Sequence, residues 1–114
     1  MASRSNAPPL HADSDGDTAV VRIPDSYFGI PNGLPAQQGL LRLLHDLGPS
    51  RLTLDFGAVD FLSSPGLAAL LTAHKHLRAR GGRLTVMNVR PHVYEVFAVT
   101  RLTTVFEVCQ QEAA

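Results

Sequence analysis

The sequence predicts an α/β domain with a mostly parallel sheet of four or five strands and alternating helices. Short apolar segments typical of strands alternate with amphipathic segments typical of helices, in the order β-α-β-α-β-α-β, and Pro, Gly and Asp separate them. Such alternation implies right-handed crossovers between parallel strands. The chain of 114 residues, 45% of them apolar, can build one core but not two.

The folded domain is predicted to span residues 18–109. Residues 1–17 are rich in Ser, Asp, Pro, Ala and Gly, a composition that favours a disordered or loosely attached arm, and residues 110–114 form a short tail. The first strand, Thr18 to Ile23, follows the arm. An edge of this strand left without a neighbour would be a candidate site for weak homodimer formation.

The elements around the centre of the chain follow from turn residues and periodicity. The loop PDSYFGIPNGLP carries Tyr27 and Phe28, which either tuck beneath the fold or contact a partner. Apolar spacing and stop signals then predict three helices and three further strands. In chain order these are helix Pro35–Leu47 with Gly48 as its stop, strand Leu52–Phe56, a second helix from Ser64 to about Arg80, strand Arg83–Asn88, helix Pro91–Val99 and strand Thr104–Val108.

The second helix begins at a pair of serines. Ser64 followed by Pro65 fits an N-cap residue and the first helical position, and Ser63 is then a loop residue that shapes the entry. Gly66 would permit close approach of a partner or a neighbouring helix, and Asp60 could hold the preceding loop through bonds to backbone amides. The apolar face of this helix is predicted to consist of Leu67, Leu70, Leu71, His74 and Leu77.

Composition argues against several classes of protein. The formal net charge is zero and basic residues are not interleaved with aromatic ones, so nucleic-acid binding has little support. No apolar run is long enough for a membrane span and the first residues lack a signal-peptide pattern, so a cytoplasmic protein is expected. The lone Cys109 cannot form an internal disulfide and is predicted to be a buried or idle thiol.

The sequence gives no support for catalysis, a cofactor or a metal. It has no Gly-x-Ser-x-Gly, no dinucleotide-binding glycine motif and no phosphate-binding loop with its lysine. His74 and His76 are two residues apart on a helix and point to different faces, so they form a poor metal pair. A hydrolase that uses Ser64 would need a histidine within reach, and no histidine sits in a loop where that can be argued.

Three segments resemble the STAS domain of the bacterial anti-sigma factor antagonists. They are VDFLSSPGLAALL, RARGGRLTVMNVRP and HVYEVFAVTRLTTVFEV, with the spacing between them kept. The resemblance implies a STAS-like fold and a non-enzymatic partner-switching regulator of transcription. Such proteins bind an anti-sigma factor, commonly a serine kinase, and thereby release a sigma factor. Phosphorylation of a serine at the start of the central helix abolishes that binding, and a phosphatase restores it.

Aligned on Gly66, the family's Asp-Ser-Ser-Gly motif places the phosphoacceptor at Ser64. Two departures are Ser63 in place of the acidic residue and Pro65 in place of the second hydroxyl. The family's first strand has no clear counterpart in residues 1–17, and Arg101 stands where many relatives have glycine. The predicted partner-binding surface consists of Asp60, Ser63, Ser64, Pro65, Gly66, Tyr27 and Phe28.

Two alternatives stay open at the level of sequence. The domain could serve as a constitutive scaffold, or as the cytosolic subunit of a transporter complex, and dock through the same face without phosphorylation. Ser64 could also act only as a helix cap. A phosphate on Ser64 would add about −1.5 to −2 charges at a helix N-terminus, which favours anions, so the switch would act on the partner rather than on folding.

Overall fold

The computed structural model describes residues 10–24, 33–48 and 50–111, and these form a five-stranded sheet with three α-helices. The predicted α/β class and the alternating order are confirmed. Tyr27 and Phe28 lie outside the described residues. The elements in chain order are β1 (His11–Asp15), β2 (Thr18–Arg22), α1 (Gly33–Leu47), β3 (Arg51–Asp55), α2 (Ser64–Ala79), β4 (Arg83–Val89), α3 (Pro91–Val99), a 3₁₀ turn (Leu102–Thr104) and β5 (Glu107–Gln110).

The strands lie in the sheet in their chain order, β1-β2-β3-β4-β5. β1 is antiparallel to β2, and the other three pairs are parallel. Because each right-handed crossover steps in the same direction, the three helices belong on one face of the sheet. Burial alternates along the strands as this arrangement requires. The buried strand residues under the helices are Ala19, Val21, Leu52, Leu54, Leu84, Val86 and Val89.

The strand β1 corrects the predicted N-terminal arm. Residues 11–15 pair in register with β2, from His11 opposite Arg22 to Asp15 opposite Thr18. Gly16, with φ of 63°, opens the two-residue turn between these strands, and hairpins of this kind need a positive φ there. The strand forms although Asp13, Ser14 and Asp15 are polar and exposed, because pairing with β2 satisfies its backbone amides and carbonyls. The edge of β2 is therefore covered.

The helices pack on the sheet through small as well as large residues. α1 packs against α2, and α1 begins two residues before the predicted Pro35. Gly48, with φ of 56°, ends α1 as predicted, and its N–H donates to the carbonyl oxygen of Leu44 at 2.9 Å. The predicted face of α2 is only partly right, because small residues let the helix approach the core closely. Its buried residues are Gly66, Ala69, Leu70, Ala73 and Leu77.

The last strand also differs from its predicted position. β5 begins at Glu107, three residues later than expected, because the preceding residues form the 3₁₀ turn and bury Leu102 and Phe106. Arg101 enters this turn in the left-handed conformation, with φ of 64°. Glycine adopts that conformation without steric cost, so the backbone here would accommodate the glycine that the family resemblance predicts.

Candidate functional site

The serine pair lies at the N-terminus of α2, and the structure shifts its roles by one residue. Ser63, not Ser64, is the N-cap: its backbone is extended, with φ of −83° and ψ of 168°, and its Oγ accepts a hydrogen bond from the Gly66 N–H at 3.1 Å. Ser63 is buried, with 5% of its surface exposed. A cap that accepts from the third helical residue is the standard serine arrangement, so the predicted cap at Ser64 is wrong.

Ser64 therefore lies at the first helical position, where its side chain is exposed. Pro65 follows at the second position, also exposed, and its missing N–H leaves no broken hydrogen bond in the first turn. The first turn of α2 contains no acidic residue. The positive end of the helix dipole is consequently not neutralised by a carboxylate within α2, and it favours negative charge at this point.

The loop between β3 and α2 is fixed at both sides of an exposed aromatic ring. Val59 and Leu62 are buried, whereas Phe61 between them is 55% exposed. Phe61 was not among the predicted partner-binding residues. Leu62 is buried and the adjacent Phe61 is exposed, and the hydrophobicity of these two residues does not predict which of them faces the core.

Asp60 ties this loop to the start of α3 through side chains rather than through backbone amides, which corrects the predicted role. Its Oδ1 accepts from Nη1 of Arg90 at 3.1 Å and from Nε2 of His92 at 2.9 Å. The same His92 nitrogen lies 2.9 Å from the Asp60 carbonyl oxygen. Nε of Arg90 also donates to the carbonyl oxygen of Gly57 at 3.1 Å. Two residues at the start of α3 thus hold the loop at four contacts.

A second polar cluster lies at the carboxyl ends of three neighbouring strands. Oδ1 of Asp55 accepts from the Gly57 N–H at 2.9 Å and from Nδ2 of Asn88 at 3.2 Å. Oδ2 of Asp55 lies 4.0 Å from Nε of Arg22, whose side chain is 81% exposed, so this ion pair contributes little. The cluster joins the ends of β2, β3 and β4 beneath the loop that leads to α2.

The described residues offer little for a cofactor or a metal. An open cleft of about 450 Å³ lies beside Asp55, but its walls combine two carboxylates with one arginine and apolar side chains, without a convergent ligand set. No group of three or more metal-binding side chains occurs in residues 10–24, 33–48 and 50–111. Among the described helices, none has the length and apolar character that a membrane-spanning segment requires.

The remaining candidate residues lie outside the turn that contains Ser63 and Ser64. His74 is partly buried, with its ring centroid 5.6 Å from that of Phe106, while His76 is exposed, so the prediction that they face differently is confirmed. Burial, and then the nearby Arg78 guanidinium, lower the pKa of His74 from its ordinary value of 6.5. Cys109 is an exposed free thiol. Five predicted site residues lie together at the end of the loop and in the first turn of α2: Asp60, Ser63, Ser64, Pro65 and Gly66.

Comparison with known proteins gives one family for most of the chain. Residues 15–114 match the family model of the STAS domain. BtrV of Bordetella bronchiseptica, which carries the name of an anti-sigma factor antagonist, is 35% identical over 88 residues, covering 75% of this chain and 76% of that protein.

Three solved structures share the fold at lower identity. An anti-sigma-factor antagonist (STAS) domain protein of Planctomyces limnophilus superposes with a TM-score of 0.77 at 17% identity, covering 92% of each chain. The anti-sigma factor antagonist SpoIIAA in its unphosphorylated form gives 0.72 at 18% identity, over 87% of this chain and 86% of SpoIIAA. Its phosphorylated form from Bacillus gives 0.63 at 17% identity, over 87% and 89%.

Proposed function

The chain belongs to the STAS domain family, and we propose that it is an anti-sigma factor antagonist whose partner binding is switched off by phosphorylation of Ser64. The unmodified chain binds an anti-sigma factor of the serine-kinase type in the bacterial cytoplasm and so releases a sigma factor. The kinase transfers phosphate to Ser64, and a phosphatase removes it. The chain itself catalyses no reaction in this scheme.

One observation carries the proposal: the cap and the acceptor are different serines. Ser63 satisfies the helix through its bond to Gly66, while Ser64 lies exposed at the first helical position. A serine that served as the cap, as the buried Ser63 does, would have to leave its contact with the helix end before a kinase could reach its hydroxyl. Because the cap is already supplied, Ser64 can be esterified without loss of that bond.

The replacement of the family's acidic residue by Ser63 is compatible with this role. Aspartate and serine are both strong N-cap residues, and each accepts from an amide of the first turn. Ser63 therefore keeps the local geometry that presents Ser64, with one negative charge fewer beside the acceptor. The helix end is left more favourable to an incoming phosphate.

The phosphate is expected to act on the interface and not on the fold. It adds about −1.5 to −2 charges at the N-terminus of α2, where free amides and the helix dipole stabilise an anion. A partner that covers Ser64 would instead have to remove water from a dianion. A penalty of only about 3 kcal/mol weakens binding by roughly a hundredfold, which is enough for a switch.

Intact-mass spectrometry tests the proposal directly. The purified chain is incubated with ATP and candidate anti-sigma factor serine kinases from the same organism, beside Ser64→Ala and the matched variant Ser63→Ala. One added phosphate is expected in the wild type and in Ser63→Ala, and none in Ser64→Ala. A phosphate that persists in Ser64→Ala, or no phosphate with any of these kinases, would reject Ser64 as the acceptor.

A further inference from the structure

Phe61 is the feature that the proposed switch leaves unexplained. Among the described residues, the large apolar side chains with notable exposure are Val20, Phe61, Val99 and Val105, and Phe61 is the aromatic one. It precedes Ser64 by three residues, so their Cα atoms are separated by at most about 11 Å. Single exposed apolar residues are common, so exposure alone does not make Phe61 a contact residue. The anchoring of the backbone around it distinguishes Phe61.

The backbone on either side of Phe61 is anchored. Asp60 is held by the side chains of Arg90 and His92, and Leu62 is buried with 6% of its surface exposed. The ring is therefore presented outwards on a loop with little freedom. An aromatic side chain fixed in this way loses little entropy when a partner covers it, and such residues dominate the binding energy of many interfaces.

The exposed residues that follow Phe61 in the chain include apolar ones at the start of α2. Pro65 and Ala68 are exposed and lie three positions apart on α2, so they share one face of the helix near its N-terminus. The polar residues beside this apolar surface are Asp60, Arg90 and His92, whose side chains are 63%, 38% and 58% exposed. An apolar centre with a polar rim is the usual anatomy of a protein interface.

We infer that Phe61 is the apolar anchor by which the anti-sigma factor kinase holds this chain, an inference that rests on the proposed function. An enzyme that transfers phosphate to Ser64 must cover the surface around that hydroxyl, and Phe61 lies within that surface. The partner then carries an apolar pocket for the ring beside its phosphoryl-donor site. Phosphate on Ser64 places a hydrated dianion next to this pocket, so the same contact serves recognition and release.

Phe61→Ala tests the anchor, with Val99→Ala as the matched control. Val99 is 76% exposed and ends α3, at the opposite end of that helix from Arg90 and His92. The probe is the purified kinase that phosphorylates the wild-type chain, titrated calorimetrically in the presence of ADP and assayed separately with ATP. Phe61→Ala should raise Kd and KM about 30-fold, with kcat within about twofold and the unfolding midpoint unchanged. Val99→Ala should change neither constant by more than about twofold.

The outcomes separate this inference from the proposed function. If Ser64→Asp abolishes binding while Phe61→Ala leaves Kd unchanged, the switch stands and the anchor is rejected. If Phe61→Ala weakens binding and Ser64→Asp does not, the anchor stands and the switch is rejected. If Phe61→Ala leaves Kd unchanged but converts a dimer into a monomer in sedimentation, the ring contacts a second copy of the chain, and the inference is likewise rejected.

Discussion

Replacing each serine of the pair with alanine should give unequal losses of stability, and this comparison tests the assignment of the cap. Ser63→Ala removes the hydroxyl that accepts from Gly66, and Ser64→Ala removes an exposed hydroxyl at the next position. The two variants differ from the wild type by one oxygen atom each and occupy adjacent positions. Differences in helix propensity between them are therefore small.

The expected magnitude follows from the burial of the cap. Loss of an N-cap serine typically destabilises a protein by about 1 kcal/mol, within a range of about 0.5–2. Ser63 is only 5% exposed, so water reaches the abandoned Gly66 amide poorly and the loss belongs in the upper half of that range, about 1–2 kcal/mol. Ser64→Ala should stay within about 0.5 kcal/mol of the wild type, as is usual for exposed positions.

Urea unfolding monitored by circular dichroism measures both differences. The midpoint should fall for Ser63→Ala at an unchanged m-value, and the thermal midpoint should fall by several degrees. Ser63→Asp provides the control, because aspartate also caps helices and should recover most of the loss. Equal losses in both alanine variants, or a larger loss in Ser64→Ala, would refute the assignment of the cap to Ser63.

Two further predictions concern the C-terminal half of the chain. Arg101→Gly should raise the free energy of unfolding by up to about 1 kcal/mol, because Arg101 has a φ of 64° that glycine adopts without strain; a decrease in urea-unfolding experiments would contradict this. His74 has its pKa lowered by burial and by Arg78, so the unfolded chain binds a proton more readily than the folded one. The contribution of His74 to stability should be complete above pH 6.5 and should be lost as the pH falls through its lower folded pKa. His74→Gln should therefore lessen the loss of stability on acidification. Identical pH profiles of unfolding free energy for both proteins would exclude this role.

The sequence predicted the α/β class because its local signals agree with the final packing. Strands with alternating apolar residues, and helices that end at a clear stop signal such as Gly48, can be predicted from the local sequence alone. β1 was missed because Asp13, Ser14 and Asp15 are polar and exposed, so the composition resembled that of a disordered arm. Gly16 followed by Asp17 was a usable signal, since glycine at the start of a two-residue turn indicates a hairpin.

The candidate site was predicted in place but not in detail. The sequence SSPG accommodates either serine as the cap, and local signals do not decide between them; in the folded chain Ser63 is buried and Ser64 is exposed. The contacts of Asp60 join residues about thirty positions apart in the sequence, from Asp60 to Arg90 and His92. Such pairs arise only when parallel strands end at the same edge of the sheet, which local patterns do not reveal.

The agreement between strand order and chain order bears on how the protein folds. The parallel pairs join residues only 21 to 33 positions apart, from Val89 with Gln110 to Thr18 with Arg51. Each strand pairs with the strand that follows it in the chain, so the entropic cost of loop closure stays moderate at every step. During synthesis from the N-terminus, each β-α-β unit leaves the ribosome in the order in which the finished sheet receives it.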